Sequence, residues 1–214
     1  MRITTAAVPP FMKNGFVIAC ERSSEGIVVD PGDEVDELIA QAAASRVNVK
    51  AILLTHAHLD HITGVARAKA AYSVPVWLHR DDQFLYEAIV EQGLMFGLHT
   101  ERQPPVDAFY EPGTPFRFGD YVVDVLHTPG HCPGGVCLAI GRDGDAAREL
   151  FVGDTLFAGS IGRTDLPGGD HQQLLRSIED VLFAFPDPTV VHPGHGPDTT
   201  IGRERSSNPF LTDL

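Results

Sequence analysis

Cysteine is scarce in this chain, with three residues, Cys20, Cys132 and Cys137, and no C-x-x-C spacing. An odd, dispersed set argues against a disulfide framework and against a thiolate zinc finger. It fits a reducing, cytoplasmic setting. Basic residues are also few: 16 Lys and Arg stand against 29 Asp and Glu, for a formal net charge of −13. Such a surface repels phosphate backbones and anionic lipid, so the expected partners include no nucleic acid and no membrane. No apolar run approaches the roughly 20 residues that cross a bilayer. The opening residues Met1-Arg2-Ile3-Thr4-Thr5 lack the apolar region of a secretory leader. There is no repeat, low-complexity tract or Ser/Gly linker, and one domain over residues 1–214 is expected. Hydrophobic residues at 43% and charged residues at 21% are ordinary for a globular enzyme.

Short apolar blocks at Ile3–Val8, Phe16–Cys20 and Ile27–Val29 read as a strand meander with turns at Pro9-Pro10 and Ser23-Ser24. Val35, Leu38, Ile39 and Ala42 recur at helical spacing. Val49–Leu54 is expected to be a strand buried on both faces, followed by helices over Gly64–Tyr72 and Asp81–Gln92 with a strand at Val76–Leu78 between them. The proline-rich stretch Glu101–Pro115 reads as a surface excursion over the site. Strands are expected at Phe116–Phe118, Tyr121–Leu126, Val136–Ile140, Leu150–Val152 and Thr189–Val191, with a helix at about His171–Leu182. Strand runs interleaved with helices in both halves suggest an α/β fold of the four-layer αβ/βα sandwich type.

The chemistry concentrates in Thr55-His56-Ala57-His58-Leu59-Asp60-His61, directly after the buried strand. Neutral imidazole and carboxylate are ligands suited to Zn²⁺, Fe²⁺ or Mn²⁺. Four such groups on one tight loop cannot all face one ion. The His56/His58 pair can grip one ion while Asp60 and His61 point at a second. His131 in Thr128-Pro129-Gly130-His131, Asp154 in Val152-Gly153-Asp154 and His195 in Pro193-Gly194-His195-Gly196 also stand at strand ends. Flanking glycine and proline give each a sharp, fixed turn. A lone histidine at a strand end is more often hydrogen-bonded structure than a ligand, and His79, His99, His127 and His192 are read that way. Four donors clustered by chance, with three more waiting downstream, is the far poorer account.

In these residues, in this order, the chain resembles the metallo-β-lactamase superfamily over essentially its whole length. Ile161-Gly162-Arg163-Thr164-Asp165, Gly168-Gly169-Asp170-His171, Gly194-His195-Gly196-Pro197 and Glu204…Asn208-Pro209-Phe210 look like the short bacterial members of its glyoxalase II-like branch, the hydroxyacylglutathione hydrolases. The resemblance implies two divalent metal ions per chain, zinc foremost, with iron or manganese as alternatives. His56, His58 and His131 would hold the first, Asp60, His61 and His195 the second, and Asp154 would bridge them. Asp30 matches a carboxylate that orients a metal-binding residue; the other reading is a turn aspartate before Pro31. Full-length glyoxalase II enzymes carry a C-terminal helical region that grips glutathione, and this chain ends 19 residues after His195.

The implied reaction is hydrolysis of a small-molecule acyl thioester such as S-lactoylglutathione, with a metal-bridging hydroxide as nucleophile and no serine or cysteine attack. Asp60 and Asp154 are the catalytic carboxylates. Arg163 and His171 are the candidate substrate contacts, Arg163 as a clamp for a carboxylate. An exposed ion pair for Arg163 and a helix-start position for His171 are the plain alternatives. Cys132 reads as a small packed residue. The rival activity is that of a mononuclear iron persulfide dioxygenase of the same superfamily, which Gly162-Arg163-Thr164-Asp165 also resembles. His56, His131 and Asp154 would then supply the iron's facial triad.

Overall fold

A computed structural model describes residues 1–212. They pack as two units, Met1–Glu111 with Arg117–Asp120, and Pro112–Phe116 with Tyr121–Leu214. Each is organised around a six-stranded sheet.

The first sheet runs in chain order: β1 (Arg2–Ala6), β2 (Gly15–Ala19), β3 (Glu25–Val29), β4 (Asn48–Leu53), β5 (Val76–Leu78) and β6 (Ala108–Phe109). β1 to β3 pair antiparallel, joined by residues 7–14 and 20–24. β3 to β6 pair parallel, so each further connection has to cross over and carries helices. α1 (Val35–Ala44) links β3 to β4, and α2 (Leu59–Ile62) and α3 (Val65–Tyr72) link β4 to β5. α4 (Gln83–Glu87) and α5 (Ile89–Met95) precede β6. α1 buries Val35, Leu38 and Ala42, the helical stripe seen in the sequence. β4 is buried on both faces only from Ala51 onwards, because Asn48 and Lys50 point to solvent.

Two expectations are corrected. The helix over Asp81–Gln92 is a 3₁₀ turn at Arg80–Asp82 followed by two helices that break at Ala88. The Ala88 amide is shared between the carbonyls of Phe84 and Leu85, a tightened last turn that apolar periodicity does not register. The stretch Glu101–Pro115 is not all surface excursion. It contains β6, and Tyr110 is buried with its hydroxyl donating to the Leu54 carbonyl.

In the second unit, β8 (Tyr121–His127), β9 (Val136–Arg142) and β10 (Glu149–Gly153) form an antiparallel meander after β7 (Phe116–Phe118). A small hairpin follows, β11 (Leu156–Phe157) with β12 (Ser160–Ile161). Then come α6 (His171–Ser177), which continues as a π-helical turn over Ile178–Leu182, β13 (Val190–Pro193), β14 (Thr199–Thr200) and α7 (Ile201–Ser207). The sheet order is β14-β13-β10-β9-β8-β7, with β13 parallel to β10. Leu174, Ile178 and Leu182 recur every four residues and pack on Leu150, Val152 and Val191 to make this unit's core. β11, β12, β14 and α7 were not anticipated; three are two-residue strands, too short to show a period. α7 is held through buried Glu204, which accepts from the Gly159 amide, the Thr199 hydroxyl and the Asn208 amide. Glu204 and Asn208 of the tail motif are thus packing partners. Among the described residues no helix is long and apolar enough to cross a membrane.

Candidate metal centre

The chain leaves β4 at Leu53, and His56 and His58 lie on the extended segment that leads into the single turn of α2. All three imidazoles of the run are buried, whereas Asp60 is partly open. The His56 ring centroid lies 4.9 Å from that of His58 and 4.0 Å from that of His61.

Asp30 organises the histidine run. It follows β3 at a left-handed φ of 48° and is buried. Its carboxylate accepts from the Thr55 amide at 2.7 Å, the Thr55 hydroxyl at 2.6 Å and His61 Nδ1 at 2.9 Å. An ionised carboxylate only accepts, so His61 carries its proton on Nδ1 and presents Nε2 as the lone-pair nitrogen. The Thr55 hydroxyl gives its proton to Asp30, and its oxygen then accepts from His56 Nδ1 at 3.1 Å. One carboxylate thus sets the tautomer of two rings, the arrangement that prepares imidazoles for a metal. Asp30 therefore contacts the histidine run directly and is more than a turn residue. Nearby, burial and then the Asp30 charge push the Tyr110 hydroxyl well up, keeping it a neutral donor.

The loop's backbone is held from the helix side. The Ala57 amide donates to Asp82 Oδ2 at 3.0 Å, and the Leu59 amide to Gln92 Oε1 at 3.0 Å. Gln92 Nε2 donates to the carbonyls of Ala57 and Leu85. Thr55, Asp82 and Gln92 escaped the sequence reading, since single polar residues 25 to 33 positions away carry no local signal.

In the second unit, the Gly194 amide donates to the Gly153 carbonyl at 2.7 Å, tying the ends of β13 and β10 together. Asp154 and His195 consequently become neighbours, with His195 Nε2 3.5 Å from Asp154 Oδ2. His131 Nε2 lies 3.7 Å from the same oxygen. His131 Nδ1 donates to the Arg163 carbonyl at 2.7 Å, so this ring also presents Nε2. Gly162 makes the approach possible, because a Cβ there would stand 1.9 Å from the Asp154 carbonyl oxygen. Separations of 3.5–3.7 Å exceed a hydrogen bond. They match the roughly 3.4 Å between two ligand atoms on one tetrahedral ion with bonds of about 2.1 Å. The donor set and its spacing therefore fit a divalent metal.

Arg163 and His171 stand differently. The Arg163 guanidinium is exposed and forks the Asp165 carboxylate at 2.7 Å on both arms, which holds that carboxyl down at about 2. Its carbonyl, not its side chain, meets a candidate ligand. His171 is the exposed first residue of α6, whose N-cap is Asp170. The other histidines have structural partners: His127 with the Pro133 carbonyl, His79 with the Asp81 amide, and His192 with Glu149 and Asp198 while stacked on Phe151. His99 lines a surface cavity of the first unit. The three cysteines are buried thiols.

Imidazoles and carboxylates arrayed at strand ends, with ring tautomers set by their neighbours, fit a metal-using protein of α/β fold. The sequence profile of the metallo-beta-lactamase superfamily matches residues 8–195, and the chain belongs to that superfamily. It is 37% identical to hydroxyacylglutathione hydrolase GloC of Haemophilus influenzae, across 99% of this chain and 98% of that one. Among solved structures, the BLEG-1 B3 metallo-beta-lactamase superposes with a TM-score of 0.88 at 37% identity, covering 99% of this chain and all of that one. TTHA1623 in a di-iron-bound form gives 0.84 at 39%, covering 97% and 100%.

Proposed function

We propose that this chain is a dinuclear thioester hydrolase whose substrate is a small acyl-glutathione of the S-lactoylglutathione kind. The observation that carries the two-metal reading is Asp154 Oδ2, which faces the Nε2 atoms of both His131 and His195. Within reach of both imidazoles, this carboxylate could serve an ion on either ring. In this reading His56, His58 and His131 would hold one ion, Asp60, His61 and His195 would hold the other, and Asp154 would serve both. Full-length similarity to GloC supports the substrate class; the di-iron form of TTHA1623 supports two ions and leaves iron beside zinc and manganese as the native metal.

When bound, the ions supply positive charge for the acyl oxygen and lower the pKa of water towards about 7. The chain's own groups hold and orient. Asp30 and Thr55 fix His61 and His56, the Arg163 carbonyl fixes His131, and partly open Asp60 can accept a hydrogen bond from the attacking water. Arg163 would reach a substrate carboxylate only by leaving Asp165.

The experiment is a paired assay on metal-replete wild type, Asp60→Ala and His195→Ala. Wild type should cleave S-lactoylglutathione with about two metal equivalents bound, and both variants should lose kcat by orders of magnitude. Cleavage of a chromogenic β-lactam with thioesters untouched would reassign the substrate. Oxygen uptake on glutathione persulfide by the iron form, retained in both variants, would establish the mononuclear dioxygenase instead.

A further inference from the structure

Lys13 is among the largest fully buried side chains of the chain. A buried ammonium is costly unless it is paired and hydrogen-bonded, and pairing seldom makes it a net stabiliser. Its partners are Glu34 Oε1 at 2.5 Å and the backbone carbonyl of Asp30. Glu34, equally buried, also accepts from the Gly32 amide at 3.0 Å. Room for the pair comes from two glycines. A Cβ at Gly15 would stand 2.1 Å from Glu34 Oε1, and one at Gly32 would stand 2.9 Å from Lys13 Cε and 1.9 Å from the Asp60 carbonyl oxygen.

Asp30 is thus gripped at both ends. Lys13 holds its carbonyl, while Thr55 and His61 hold its carboxylate. The residue sits at φ 48°, a left-handed conformation that a non-glycine residue keeps only when its surroundings impose it. Turning the Asp30 peptide back would swing the carboxylate away from His61.

From this geometry we infer that Lys13 is a positioning residue for the metal site: its ammonium, neutralised by Glu34, clamps the Asp30 peptide so that the carboxylate holds His61 on its Nδ1–H tautomer. The role rests on the metal reading above only for its consequence; the hold on His61 is a property of the first unit by itself. An ion pair that merely anchored the segment before β2 to the start of α1 would be replaceable by a neutral pair without effect on His61.

The test compares wild type, Lys13→Met and Lys13→Met/Glu34→Gln by three measurements. These are the imidazole NMR signal of the His61 Nδ1–H in metal-free protein, Zn²⁺ affinity by chelator competition, and the urea midpoint. Lys13→Met leaves the Glu34 charge buried alone and should lower the midpoint strongly, whereas the double variant removes that charge and should regain most of it. Both variants should nevertheless lose the slowly exchanging His61 proton and bind Zn²⁺ about 10–100-fold more weakly. A double variant with wild-type His61 signal and Zn²⁺ affinity would overturn the assignment. So would one that stays as unstable as the single variant, since the pair would then be a structural anchor. If wild type binds no metal, the proposed function fails, and the His61 signal still decides the role of Lys13.

Discussion

Arg163 meets two neighbours with two different groups, and substitution separates them. Its carbonyl accepts from His131 Nδ1, a contact any residue could make, and its guanidinium pairs with Asp165 on an exposed surface. Removing the guanidinium in Arg163→Ala should let the Asp165 carboxyl rise from about 2 towards its usual value, readable by NMR titration. The sign follows from linkage. Asp165 is depressed in the folded state, so its contribution is present above about pH 4 and disappears as pH falls through its folded value of about 2. Because the pair is open to solvent, the stability difference between wild type and variant should be small at pH 7 and absent below pH 2. If Arg163 instead clamps substrate, the variant should raise KM for carboxylate-bearing thioesters far more than for neutral ones. Equal kinetics on the two would leave the surface pair as its whole role.

At the scale of elements, the ligand run depends on helices that contribute no ligand. Gln92 on α5 offers its oxygen to Leu59 and its amide to Ala57 and Leu85, so one side chain ties the loop between β4 and α2 to two helices. Gln92→Leu keeps the bulk and deletes these bonds. It should destabilise the protein by about 1–3 kcal/mol, the cost of leaving buried backbone groups without partners, measurable in urea. It should also weaken metal binding, because His56, His58 and Asp60 lose their fixed spacing. Unchanged metal affinity at reduced stability would show that the loop keeps its form without α5. α4 and α5 were expected as one helix, and the break at Ala88 matters here because it sets the start of the helix that carries Gln92.

For the molecule as a whole, the proposed ligands would be drawn from residues 56 to 195, which no unfolded chain holds together. Ions that bind only the folded protein stabilise it by mass action, about 2.7 kcal/mol per site at a hundredfold excess over Kd. Chelation should therefore lower the melting temperature, and Zn²⁺ or Mn²⁺ should restore it in step with binding of about two equivalents. A melting curve indifferent to chelator and metal would count against metal being part of the native state.

The local facts were determined by sequence alone. Alternating apolar blocks placed most strands within a few residues, helical spacing placed α1, and the His56–His61 run with His131, Asp154 and His195 supplied the candidate donors. These signals are periodic or contiguous, so neighbouring residues carry them. The Lys13–Glu34 pair, Thr55, Asp82 and Gln92 had no such signal, because each acts on a partner 21 to 35 positions away. Asp30 had two readings in sequence, and its three hydrogen bonds, to Thr55 and His61, lie beyond what local sequence shows. Which nitrogen each ring presents, and that Asp154 Oδ2 faces two imidazoles, are matters of direction and distance. Only tertiary structure decides those, since a hydrogen bond or a shared ligand depends on where side chains point once distant segments have packed.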